Sequence, residues 1–152
     1  MQHRVLVPAD LELICRHRAE MFREAGRAHQ VLETMTEHFR PGLAQHLASG
    51  TYFGFALEEQ GEVAAGIGLM VLDWPPHPAH PAQARRGYVL NVYVEQQYRR
   101  RGVGRQLMAL AEREFEARAL QFAILHATEL GRGLYEELGW SATTEMSRRV
   151  GG

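Results

Sequence analysis

Gly87 to Glu95 is an almost unbroken apolar run, carrying Val89, Leu90, Val92, Tyr93 and Val94, and it constrains the fold more than any other segment. A strand that is apolar on both faces must be covered on both, so this one predicts a central strand of a sheet. A polar turn follows, and Gly102 then opens a helix to about Arg118, with Val103, Leu107, Leu110, Ala111 and Phe115 on one face. Phe122-Ala123-Ile124-Leu125 reads as a further buried strand. Strand, helix, strand in that order predicts two parallel strands joined by a right-handed crossover.

The rest of the chain supplies a sheet for this unit to join. Arg4 to Val7 reads as a short opening strand, and Asp10 is placed to cap a helix from Leu11 to about Ala25, which Gly26 ends. A second helical stretch, Val31 to Leu47, is expected to break into two pieces at Pro41-Gly42. Thr51–Leu57 and Val63–Leu72 flank a Glu-Glu-Gln-Gly turn and predict a hairpin. Gly66 and Gly68 in its second arm mark a bulge or the close approach of another segment. Four prolines between Asp73 and Pro81 predict an extended surface loop. Arg132–Leu138 reads as a short helix, and Trp140–Met146 as a strand closing the sheet. The fold class is α/β (α+β), a mixed sheet with helices against it.

The 152 residues, 45% of them hydrophobic, suit one domain, 1–152, with one core. Cys15 is the only cysteine, which excludes an internal disulfide, and its helical apolar setting reads as a small buried side chain. A formal charge of −1 argues against nucleic-acid or membrane binding by bulk electrostatics. No signal-like segment and no membrane-length apolar run is visible, so the expectation by default is a cytoplasmic protein. Eight histidines invite a metal, but none pairs with a second His and an acid at a recognised ligand spacing, so none is assigned as a ligand.

The chemistry lies between Val92 and Arg105. A buried strand ends there, and Gly102-Val103-Gly104 brings the chain into a helix whose first amides are unpaired and point at one place. Arg99, Arg100, Arg101 and Arg105 surround it with positive charge. Either this is a tight turn with a solvated basic cluster, or it is a phosphate site. A Walker loop is excluded because no Gly-Lys-Ser/Thr follows, and a dinucleotide fingerprint because Leu107 holds the third glycine position.

Arg99-x-x-Gly102-x-Gly104, with Val92-Tyr93-Val94 before it, Tyr98 just ahead and Leu107-Met108 after it, resembles the acetyl-CoA signature of the GCN5-related N-acetyltransferases. Leu134-Tyr135-Glu136-Glu137-Leu138-Gly139-Trp140 resembles the same family's closing motif, at the usual distance and in the usual order. The resemblance covers essentially the whole chain. It implies a mostly antiparallel sheet with a parallel, splayed strand pair at the acetyl-CoA site. It also implies acetyl transfer to an amine by direct attack in a ternary complex, with acetyl-CoA as co-substrate and no metal. Val92, Tyr93 and Val94 would meet the acetyl and pantetheine groups. Amides of Arg100, Arg101, Gly102, Val103, Gly104 and Arg105 would hold the pyrophosphate, and the arginine side chains, Arg99 included, would screen it. Tyr135 would protonate the leaving thiolate.

Two positions depart from the family pattern, Thr128 standing for an Asn and Gly131 for an Ala. For the acceptor side, the candidates are Asp73 as base, Asn91 and His126 as substrate contacts, and Trp74 and His77 on the proline loop. Asp73 reads equally as a turn-capping acid, and the loop equally as a rigid surface feature. Expected partners are a small-molecule or protein amine, with a homodimer open. A non-catalytic acyl-CoA-binding module of the same fold is the alternative.

Overall fold

The computed structural model describes residues 1–151. Five strands lie side by side in chain order, β1 (Gln2–Val5), β2 (Phe53–Glu59), β3 (Glu62–Asp73), β4 (Arg85–Val94) and β5 (Ala123–Leu125). The first three pairings are antiparallel, and β4 with β5 is parallel. Four helices complete the fold: α1 (Leu11–Glu24), α2 (His29–Ser49), α3 (Val103–Ala117) and α4 (Glu129–Glu137). The apolar run thus forms β4, flanked by strands on both sides as its composition requires.

Neighbouring residues of β3 and β4 enter different cores. Leu69 and Val89 join Leu107, Leu110 and Phe115 of α3, whereas Met70 and Leu90 join Ile14, Cys15, Leu43 and Leu47 of α1 and α2. The alternation of side chains along a strand places the two clusters on opposite faces of the sheet. Cys15 is buried in the second cluster.

One irregularity reshapes β4. Gly68 pairs with Leu90 and Gly66 with Tyr93, so Ile67 alone faces both Asn91 and Val92. Asn91 is the extra residue, at φ 55, a left-handed conformation that asparagine adopts more readily than most residues. The bulge reverses the alternation. Leu90 and Asn91 both face α1 and α2, and Val92 and Val94 then face α3. Gly66 and Gly68 stand opposite because a side chain there would meet His17 and Tyr52. Both expectations for those glycines hold, with the extra residue lying on the partner strand.

Three expectations are corrected. α2 runs unbroken through Pro41, because Leu32, Leu43 and Leu47 are buried along it and Pro41 is exposed, leaving the freed carbonyl to water. Asp10 does not cap α1. Its carboxylate accepts a bidentate pair from Arg4 (2.9 Å each) and the Val7 amide (2.8 Å), and these bonds outweigh burial to hold its pKa below the ordinary value. Residues 140–146 form no strand: Trp140 packs on the α3 core, and the exposed residues after it have no apolar face to bury.

The segment 74–84 is an exposed loop, as expected, and it is tied down from within. Trp74 donates its amide to Ala84, His77 and His80 form a bridge, and His80 is fully buried. Arg86, 7% exposed, places its guanidinium between Trp74 and Phe122, 4.1 and 4.7 Å from the ring centres. His80 Nε2 accepts from it at 2.9 and 3.2 Å. An arginine only donates, so the His80 proton sits on Nδ1, directed to the Gln83 carbonyl at 2.9 Å. His80→Ala would strand a buried cation, and a loss of about 3 kcal/mol is expected in urea unfolding.

Candidate functional site

The bulge opens the site. β5 pairs with β4 only at Gly87, Tyr88 and Val89, so past the bulge the backbone of Val92–Val94 has no strand on that side. The gap is a cleft of about 340 Å³ between β4, the start of α3, α4 and the end of α1. Val92, Tyr93, Val94, Arg99, Arg100, Gly102, Val103, Gly104, Arg105 and Tyr135 all line it, while Arg101 does not.

At one end of the cleft the backbone presents a row of donors. The first amide to return into α3 is that of Gln106, which donates to Gly102. Among the described residues, no acceptor takes the amides from Arg100 to Arg105, and α3 has no side-chain cap. Arg100 (φ 63) and Gly102 (φ 74) are left-handed, a turn that gathers successive N–H groups into a concave anion seat. The partial positive charge of the helix start adds to it. These donors fit a diphosphate.

The arginine side chains behave differently from expectation. Arg99 reaches back to the Val94 carbonyl (2.9 Å) and grips Glu24 of α1 with Nη2 (2.8 and 3.0 Å). Arg101 pairs with Glu59 of β2 at 2.8 Å and lies over the Tyr98 ring, and Arg105 pairs with Glu137 of α4. Only Arg100 of the four has no carboxylate partner among the described residues, so it alone is free to meet phosphate charge. Glu24, absent from the sequence-based candidates, is the hub: it also accepts the Tyr93 hydroxyl at 2.7 Å. Burial, helped by that carboxylate, pushes the Tyr93 phenol up to about 12.

Tyr135 extends into the cleft from α4 and is partly buried against the α3 core. Burial pushes its phenol above the ordinary value, which keeps it protonated. At Gly131 an added Cβ would lie 2.8 Å from the Tyr135 ring, so the ring packs closer to α4 here than an Ala would allow. Thr128 caps α4, its hydroxyl accepting the Gly131 amide at 3.4 Å.

The acceptor-side candidates do not converge. Asp73 is exposed and pairs in register with Arg85, six residues before Asn91, about 20 Å along the strand at its usual rise. That distance removes it from the cleft. Trp74 lies on Arg86 of β4, and His77 accepts the Ala79 amide and stacks on His80 within the loop, so both already have partners. His126 stands exposed just after β5, its ring edge-on to Tyr88 at 5.8 Å, where the two strands part. Asn91 is 4% exposed and engages Arg18 and Tyr52. No group of three or more His, Cys, Asp or Glu placed to hold a metal occurs among the described residues. Nor is any described helix long and apolar enough to cross a membrane.

A splayed parallel pair beside an amide-lined helix start defines an acyltransferase-type fold. Residues 14–140 match the model of the Acetyltransferase (GNAT) family, and the chain belongs to that family. A GCN5-related N-acetyltransferase from Ralstonia eutropha JMP134 is 55% identical over 99% of each chain, with a TM-score of 0.98. A predicted acetyltransferase from Clostridium acetobutylicum, solved with acetyl-CoA, is 23% identical over 97% of this chain and 94% of its own, with a TM-score of 0.82. An aminoglycoside antibiotic 6'-N-acetyltransferase from Acinetobacter haemolyticus is 14% identical over 100% and 99%, with a TM-score of 0.71. These last two likenesses concern the fold.

Proposed function

We propose that this chain binds acetyl-CoA in the cleft and directs its acetyl group to an amine by direct attack in a ternary complex. The observation that carries this reading is the meeting, in one cleft, of the amides of Arg100, Gly102, Val103, Gly104 and Arg105, unpartnered among the described residues, with the phenol of Tyr135. Acetyl-CoA supplies an acetyl group already activated as a thioester. The amides hold the diphosphate, and the open edge of Val92 and Tyr93 orients the acyl arm as an added strand would. As the N–C bond forms and the C–S bond breaks, Tyr135 donates its proton to the departing sulfur, and the proton released by the acylated nitrogen restores the phenol. A phenol near pKa 10 holds its proton beside a thiol of about 8.5, and burial strengthens that order. Tyr135 favours this over a module that only binds acyl-CoA.

The test is acetyl-CoA with a panel of amines, reading thiol release and the acetylated product. Release with no amine above the rate in buffer would sink the reading. A finer expectation concerns the arginines. Arg100→Ala is expected to weaken coenzyme A binding by about 3- to 10-fold in calorimetry, since a free cation meets a phosphate. Arg101→Ala, paired to Glu59 and outside the cleft, should change it by less than about two-fold.

A further inference from the structure

Arg18 is a half-buried cation with no carboxylate partner among the described residues. It lies on α1, one turn before Met21, which lines the cleft, and its Nη1 donates to Asn91 Oδ1 at 2.7 Å. Asn91 immediately precedes Val92, where the open strand edge begins. The guanidinium is held between the rings of Phe22 and Phe39, 5.1 and 4.8 Å from their centres. Asn91 is itself fixed by donating to the Tyr52 hydroxyl at 3.0 Å, and Tyr52 is 3% exposed. The titratable groups around Arg18 are Tyr88, Tyr52 and Cys15, with no carboxylate among them. Its Nε is buried with no hydrogen-bond partner among the described residues. Burial accordingly lowers its pKa, the mark of a cation that has lost water and gained no counter-charge.

Resting on the acetyl-transfer reading, the geometry points to Arg18 as the recognition group for a carboxylate carried by the acceptor amine. The acceptor class is then amino acids and related aminocarboxylic acids. A planar guanidinium fixed by two rings and an amide offers its terminal N–H groups, on Nη2 and the part of Nη1 not taken by Asn91, as a fork that fits a carboxylate. One cation balances one negative charge, and no cation is among the groups whose charge acts on it.

The experiment compares acceptors that differ only in this group. A series of amino acids and short aminocarboxylic acids is assayed with acetyl-CoA against the matching carboxamides, in the wild type and in Arg18→Met and Arg18→Lys. Expected is an acid-over-carboxamide ratio in kcat/KM that is about 10- to 100-fold higher in the wild type than in Arg18→Met. The loss should fall on KM for the acid, and Arg18→Lys should recover part of it. Taking the ratio between proteins cancels the different basicity of the paired amines, and coenzyme A binding reports whether each variant folds. A merely structural Arg18 would depress both acceptors alike and leave the ratio unmoved, which overturns the inference while acetyl transfer stands. Transfer to no amine at all overturns the underlying reading, and this inference with it.

Discussion

Tyr135→Phe is expected to lower kcat by about 10²-fold or more, with coenzyme A affinity held within about two-fold. The substitution removes one hydroxyl and keeps the ring that packs on the α3 core. What it takes away is the proton for the leaving sulfur, and a positioned general acid contributes about 10²- to 10⁴-fold. The pH profile supplies the sign. An acid works only while protonated, and burial raises this phenol above its ordinary value near 10, so the wild-type rate should lose its acid limb only above about pH 10. In the variant that limb should vanish. Retention of wild-type kcat in Tyr135→Phe would show that the sulfur leaves without help from α4.

Gly68→Ala should strongly lower stability. A Cβ at this position would overlap the hydroxyl and ring of Tyr52, which is 3% exposed and has no room to retreat. The clash would also pull the hydroxyl from Asn91 Nδ2, leaving a buried amide group unpaired. Overpacking and the lost bond together are expected to cost about 3–5 kcal/mol, read as a shift of the urea midpoint. Gly133→Ala, at a glycine with open space beyond it, is the control and should move the midpoint little. Equal midpoints for the two variants would refute the tight contact between β3 and Tyr52.

The parts that were legible before the structure share one property: their signal is local. The apolar run of β4, the glycines that open α3 and the Leu134–Trp140 motif each announce themselves within a few residues. What was hidden depends on partners far along the chain. Arg99 reads as free charge until Glu24, 75 residues away, is seen to hold it. The bulge at Asn91 is defined by its pairing with β3, and its one local hint is an asparagine inside an apolar strand. α2 survives Pro41 because buried leucines on either side outweigh a missing hydrogen bond. The strand expected after Trp140 failed for the opposite reason: a weak local pattern with no buried face to support it. By sequence, Trp74 and His77 read equally as acceptor contacts or as parts of a rigid loop, because nothing local reveals the buried Arg86 behind Trp74.

The three ion pairs around the helix start have a consequence for how a ligand arrives. Glu24, Glu59 and Glu137 belong to a helix, a strand and a second helix that are otherwise far apart in sequence, and each tethers a different arginine of residues 99–105. Most of the restraint comes from the Arg99–Glu24 pair, the least exposed of the three, with the two exposed pairs adding little. The turn's amides are aimed before any anion comes, and the disorder that a floppy glycine turn would surrender upon capture has been given up at folding.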